Sequence, residues 1–145
     1  LLVEAIDSNK GYADSFDVGL QLVGDESLQV SVDALRFAQV LANLLSNAIK
    51  FSPAAGRVTL SYAARGGQAV ISIADNGPGI PVSFRDKVFQ LFAQADGGNT
   101  RRQGGSGLGL AITKQLVEQM HGTIDFESSE GVGTTFQVTL PLKNL

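Results

Sequence analysis

Three stretches of this chain combine residue types that suit a charged, flat or phosphorylated ligand. In the run from Asn43 to Phe51, Asn43, Asn47 and Lys50 recur at i, i+4 and i+7. On a helix that spacing puts two amides and an ammonium on one side while the intervening leucines face elsewhere. Amide oxygens suit magnesium and an ammonium suits phosphate. The second stretch, Asp75-Asn76-Gly77-Pro78-Gly79-Ile80, directly follows an alternating strand pattern. A carboxylate at a strand end can accept a hydrogen bond from a ligand amine, and glycines let the backbone approach a flat ring closely. The third, Gly104-Gly105-Ser106-Gly107-Leu108-Gly109-Leu110, leads into a helix bearing Leu108, Leu110, Ile112 and Leu116. Free backbone N–H groups at such a start attract phosphate. It has no Gly-Lys-Ser/Thr, so it is not a P-loop. It also lacks the last glycine of the dinucleotide fingerprint and the strand that should precede it. Taken singly, the first stretch also reads as a solvent-facing stripe, and the second as two ordinary turn formers.

The elements that must position these residues follow from periodicity. Leu1 to about Tyr12 reads as a short helix with Leu2, Ala5 and Ile6 on one side and Gly11 near its end. Val18–Val23 and Leu28–Val32 alternate with period two and are expected as strands. Asp33 is placed to cap a helix running to about Lys50, which Ser52-Pro53 ends. Arg57–Ala64 and Ala69–Ala74 form a hairpin through Gly66-Gly67. Val82–Phe92 is expected as a short amphipathic helix, Gln94–Ser106 as a mobile loop, and Leu108–Met120 as a helix. Thr123–Ser128 and Thr134–Leu140 close the fold as strands. About five or six strands and about four helices, with helices on one face of a mostly antiparallel sheet, make an α+β fold.

Bulk properties exclude several classes. At 145 residues, with 43% apolar and 17% charged, the chain is sized for one globular domain spanning residues 1–145. The net charge of −3 and the lack of a basic block disfavour a nucleic-acid or membrane-surface partner. Without cysteine there are no disulfides, zinc–thiolate sites or cysteine nucleophiles, which is compatible with a cytoplasmic domain. No apolar run approaches the roughly 20 residues of a membrane span. A chain beginning at Leu1 reads as a piece of something longer, whose parent is free to be membrane-anchored.

In this order the stretches resemble one family. Asn43–Phe51 resembles the N box, Asp75–Gly79 the G1 box, Phe89–Phe92 the F box and Gly105–Leu110 the G2 box, and Gly131-Val132-Gly133-Thr134-Thr135-Phe136 resembles the closing glycine motif. This is the set of the histidine kinase ATP-binding domains, in the superfamily that holds gyrase, Hsp90 and MutL, with a two-layer α/β sandwich (Bergerat-type) fold. The resemblance implies ATP and magnesium as ligands. Asn47 would hold magnesium bridging the phosphates, Lys50 would contact phosphate, and Phe51 would lie beside the adenine. Asp75 would accept the adenine amine, beside Gly77, with Gly79 leaving room for the ring. Gly105, Gly107 and Gly109 would supply backbone N–H groups around Leu108, and Thr135 would join the adenine network. Residues 94–106 would form a lid in which Arg101 and Arg102 meet the triphosphate.

Asn43 separates the branches of that superfamily. Gyrase-like members place a glutamate there to activate water, and an amide is no strong base at neutral pH. With Lys50, Asn43 would serve transfer of the terminal phosphate to a histidine on a separate dimerisation domain of the same protein, for delivery to a response regulator or receiver domain. His121, the chain's only histidine, sits in Met120-His121-Gly122-Thr123 where a helix gives way to a strand. It is expected to cap or to face solvent, and not to accept phosphate. A nucleotide-binding regulatory module that has lost transfer, and a water-activating ATPase, are the competing readings.

Overall fold

The computed structural model describes residues 1–24, 28, 30, 32–90 and 109–142. Five strands form one sheet in the order β1-β2-β3-β5-β4: β1 Gly19–Val23, β2 Arg57–Arg65, β3 Gln68–Ala74, β4 Thr123–Ser129 and β5 Gly133–Pro141. β1 runs parallel to β2, and every other neighbouring pair is antiparallel. Three helices, α1 Leu2–Ser15, α2 Ala34–Phe51 and α3 Gly109–Gln119, pack on the sheet. The expected α+β sandwich is the observed one.

Strand alternation decides which face is covered. Leu60, Ile73 and Phe136 sit in one cross-strand row, with Val58, Ile71, Val138 and Leu140 on the same buried face. Thr59, Ser61, Ser72, Gln137 and Thr139 take the opposite face, and no helix among the described residues covers them. α2 presses Phe37, Val40, Leu41, Leu44, Leu45, Ala48 and Ile49 onto the apolar side. Each of these side chains except Ala48 contributes roughly 1.5–3 kcal/mol relative to exposure. Asp33 caps α2 as expected, its Oδ1 accepting from Leu35 N at 3.0 Å and Arg36 N at 3.1 Å. At the other end Ser52 Oγ donates to Ala48 O at 2.9 Å, and Pro53 follows.

Two element expectations need correction, and a third is described only in part. α1 continues through Gly11 to Ser15, because Ala13 is buried in the core and extends the apolar face by two turns. Of the Leu28–Val32 expectation only Leu28, Val30 and Val32 are described, and among these Val30 makes a single bridge to Leu142. Leu28, Val30 and Val32 alternate because they pack against the core edge. The Val82 element is a 3-10 helix ending at Lys87, started by Phe84 N donating to Pro81 O at 2.9 Å. Residues 91 and 92 of that expectation lie outside the described residues, as does the whole of residues 94–106 with Arg101 and Arg102.

Both α1 and α3 end in a left-handed residue that is not glycine. After α3, His121 has φ 63°, its N–H reaches Glu118 O at 3.1 Å, and Gly122 N reaches Val117 O at 3.0 Å. Asp17, with φ 55°, repeats the arrangement after α1 through Val18 N to Ala13 O at 3.0 Å. This double closure is the Schellman motif. His121 is exposed there, with a helix-ending role.

Candidate functional site

The polar stripe of α2 lies where helical spacing puts it. Asn43, Asn47 and Lys50 are half-buried, while Leu44, Leu45, Ala48 and Ile49 turn into the core. Only one of the three is tied within the described structure. Asn43 Nδ2 donates to Thr113 Oγ1 of α3 at 3.1 Å, and Thr113 Oγ1 donates to Gly109 O at 2.7 Å. Gly109 opens α3, so the amide stripe and the start of that helix share one hydrogen-bonded chain.

The second stretch converges on the C-terminal end of α2. β3 ends at Ala74, and Asp75 N still donates to Thr134 O at 2.9 Å. The Asp75 carboxylate folds back, its Oδ1 accepting from Gly77 N at 2.8 Å and from Thr134 N at 3.3 Å. Its second oxygen has no hydrogen bond among the described residues, so the group offers an acceptor in a fixed direction. Burial pushes the Asp75 carboxyl above the ordinary carboxylate range, and the two backbone N–H groups pull it back down.

Close contact explains the glycines here. A Cβ on Gly77 would stand 2.6 Å from Phe51 O, so the Asp75 loop and the last residue of α2 touch through bare backbone. Gly79, at φ 82°, would place a Cβ 2.5 Å from Ser129 O, and Gly133 would place one 2.1 Å from Asp75 O. The fold itself demands glycine at Gly79, a reason separate from the room expected for a ring. The β4–β5 turn buttresses the loop further. Ile80 N donates to Ser128 Oγ at 2.7 Å, Val82 N to Glu130 Oε1 at 3.1 Å, and Gly131 N to Pro78 O at 2.8 Å. Asn76 Oδ1 accepts from Arg57 N at 3.0 Å, fastening the loop to the start of β2.

Thr134 is buried, donates its backbone N–H to the Asp75 carboxylate, and pairs its hydroxyl with Ser128 Oγ at 2.9 Å. Thr135 pairs across the sheet with Ala74 and Glu127, in the row facing away from the helices. One step along a strand reverses the face. Sequence reading also missed Thr113, Ser128 and Glu130. Their signal was weak, since hydroxyls and a glutamate in helix and strand read as surface.

Phe89 of the Phe89–Phe92 stretch packs edge-on against Phe126 at 6.0 Å and Phe136 at 6.2 Å, with Lys114 Nζ 5.4 Å above its ring. Phe51 ends α2 and is half-buried. Gly109 is exposed at the first position of α3. Gly105, Gly107 and Leu108 lie outside the described residues. Among the described residues no three histidine or acidic side chains cluster as a metal site. No helix there is long and apolar enough to cross a membrane.

Comparison with known proteins matches residues 32–144 to the family described as histidine kinase-, DNA gyrase B-, and HSP90-like ATPase. The chain is 44% identical over 131 residues to the circadian input-output histidine kinase CikA of Synechococcus elongatus, covering 87% of this chain and 17% of that protein. It is 45% identical over 121 residues to the sensor histidine kinase WalK of Bacillus subtilis, covering 82% and 20%. The chain therefore spans about a fifth or less of the length of these two relatives. Among solved structures, the mycobacterial sensor histidine kinase MprB superposes with a TM-score of 0.82 at 30% identity, covering 99% of this chain and 97% of that one. Full-length ShkA in complex with AMPPNP gives 0.86 at 29% identity over 99% of this chain and 30% of that one. ThkA in complex with the response regulator protein TrrA gives 0.79 at 25% identity, over 98% and 39%.

Proposed function

The chain belongs to the histidine kinase-, DNA gyrase B-, and HSP90-like ATPase family, with sensor histidine kinases as its relatives, and from that premise we propose that it binds Mg-ATP and passes the γ-phosphoryl group to a histidine on a separate dimerisation domain. The observation that carries this reading is the Asp75 carboxylate. One oxygen is held by two backbone N–H groups, and the loop bearing it touches the end of the helix that carries Asn43, Asn47 and Lys50.

In this reading Asp75 accepts the exocyclic amine of adenine, and Gly77 and Gly79 keep the loop in place around it. Phe51 lies beside the base. Lys50 draws the phosphates toward the stripe. The amide oxygen of Asn47 fits a cation held mostly by phosphate oxygens and water, which agrees with the lack of a carboxylate cluster among the described residues. Magnesium, when bound, would offset phosphate charge. Gly105, Gly107, Leu108 and Gly109 would meet the phosphates through backbone N–H groups, and Arg101 and Arg102 would approach the terminal one. Asn43 supplies no base, so water is not activated, and the phosphoryl group leaves ADP for an imidazole nitrogen. A response regulator would receive it next.

The test supplies the chain with labelled ATP, magnesium and a phosphoacceptor domain from one of its relatives. Acid-labile label on the histidine of that domain, with little free phosphate, is the expected result. Tight binding with no transfer would favour a regulatory module. Phosphate release without the acceptor would favour an ATPase.

A further inference from the structure

We infer that Thr113 is a positioning residue that fixes which way Asn43 presents its amide, an inference that rests on the reading of Asn43 as a residue beside the phosphates. Thr113 is fully buried on α3 and bridges two elements that the sequence keeps 70 positions apart. A hydroxyl carries a single proton. That proton goes to Gly109 O, at 2.7 Å the shorter of its two contacts. Toward Asn43 the Thr113 oxygen is therefore only an acceptor, and the group meeting it at 3.1 Å has to be the amide nitrogen. A flipped amide would set two acceptors face to face. The Asn43 carbonyl oxygen and its second N–H make no hydrogen bond among the described residues and are thus presented to a ligand in an orientation dictated from α3. Because Gly109 begins that helix, the same hydroxyl ties the phosphate-facing start of α3 to the polar stripe of α2.

A threonine that merely bonds back to the carbonyl four residues earlier would be an ordinary helix feature. Valine has the same shape without the hydroxyl, so Thr113→Val separates the two roles. In the transfer assay above, Thr113→Val is expected to slow phosphoryl transfer about tenfold while ADP affinity stays within about twofold. Thr113→Ser should restore the rate. Combined with Asn43→Ala, Thr113→Val should add no further loss, because the residue it positions is gone. Nitrogen-15 spectra of the wild type should show the Asn43 side-chain amide slowed in exchange and shifted by Thr113→Val. A valine variant transferring at the wild-type rate, or a double variant as slow as the product of the singles, would overturn the inference. Fast-exchanging Asn43 amide protons in the wild type would also overturn it, even if the valine variant failed to fold. If the wild type bound no nucleotide at all, the proposed function would fall, and the spectra would judge the contact by itself.

Discussion

The two ends of the sheet use glycine for different reasons. At the end where β3 gives way to Asp75, Gly77, Gly79 and Gly133 stand where a Cβ would strike backbone at 2.6, 2.5 and 2.1 Å. At the far end, Gly66 and Gly67 turn the β2–β3 hairpin at φ 58° and 78° with nothing within 4 Å of a built Cβ. His121 occupies a left-handed position there without being glycine at all. The division has exceptions: far-end Gly122 is contact-forced, its Cβ meeting Thr139 O at 2.5 Å, and Gly131 at the Asp75 end, at φ 79°, has nothing within 4 Å. The Asp75 end is packed backbone against backbone, and its acceptor is held by main-chain donors that cannot swing away. The hairpin end only needs residues that tolerate a conformation. A site that must hold geometry lies at the end where substitution costs most.

The largest expected effect breaks that packing. Gly133→Ala drives a methyl into the Asp75 carbonyl at φ 154°. Overpacking and backbone strain together should destabilise by roughly 3 kcal/mol and remove nucleotide binding with it. Gly66→Asn at the hairpin should change stability by less than about 0.5 kcal/mol, since asparagine tolerates positive φ. Denaturant titration of both variants checks the contrast, and equal losses would dissolve it.

Asp75→Asn keeps an oxygen for Gly77 N and Thr134 N, so the fold should survive. The adenine amine would lose a charged acceptor, and affinity should fall by about 1.5–3 kcal/mol in titration calorimetry. The substitution also has a pH signature. The Asp75 carboxyl is raised in the folded chain, chiefly by burial. The folded state therefore holds this proton more tightly than the unfolded chain, whose value is about 3.9. Its stabilising contribution is full below that value and is lost as pH rises through the folded pKa. The stability difference between wild type and Asp75→Asn should accordingly move against the wild type over that window. A difference flat with pH would show that the carboxyl is not raised.

The stripe of α2 gives a smaller effect, because no backbone clamp holds it. Asn47 makes no hydrogen bond among the described residues, and Asn47→Asp should leave stability within about 0.5 kcal/mol. It should change the magnesium concentration needed for ATP binding while leaving magnesium-free ADP affinity alone. Superposable metal titrations would remove Asn47 from the cation's surroundings.

Periodicity was enough to read α2, the β2–β3 hairpin and the closing strands, since each is amphipathic and bounded by Gly, Pro or a capping Asp33. It stopped α1 at about Tyr12, where buried Ala13 carries the helix on to Ser15. In the candidate site, the residues with distinctive chemistry, Asn43, Asn47, Lys50 and Asp75, could be seen in the sequence, and the Gly77–Phe51 contact joins the Asp75 loop to the end of the helix that carries the other three. The residues that orient them could not. Thr113 and Thr134 act through one hydroxyl or one backbone N–H, and neither leaves a periodic trace. In the Thr-Thr pair, only the pairing of Ile73 with Phe136 and of Ala74 with Thr135 fixes that Thr134 takes the face toward the helices.

The smallest expected effect on nucleotide binding lies at the far end, in His121→Gly. His121 closes α3 at φ 63°, where an L side chain costs roughly 1–2 kcal/mol. Glycine removes that strain but gives the unfolded chain more freedom, a loss of about 0.5–1 kcal/mol. The net gain should be about 0.5–1 kcal/mol, a rise of roughly 2–4 °C in Tm for a chain of this size. The backbone closure should persist, because it uses the main-chain N–H groups of positions 121 and 122 and no side chain. Nucleotide affinity should not move, since the exposed imidazole sits at the opposite end of the sheet from Asp75. A stabilised variant with unchanged ADP affinity would uphold the division between the ends. If His121→Gly instead lost affinity or phosphoryl transfer, the histidine would have work beyond closing its helix, and the two ends of the sheet would have to be read as coupled.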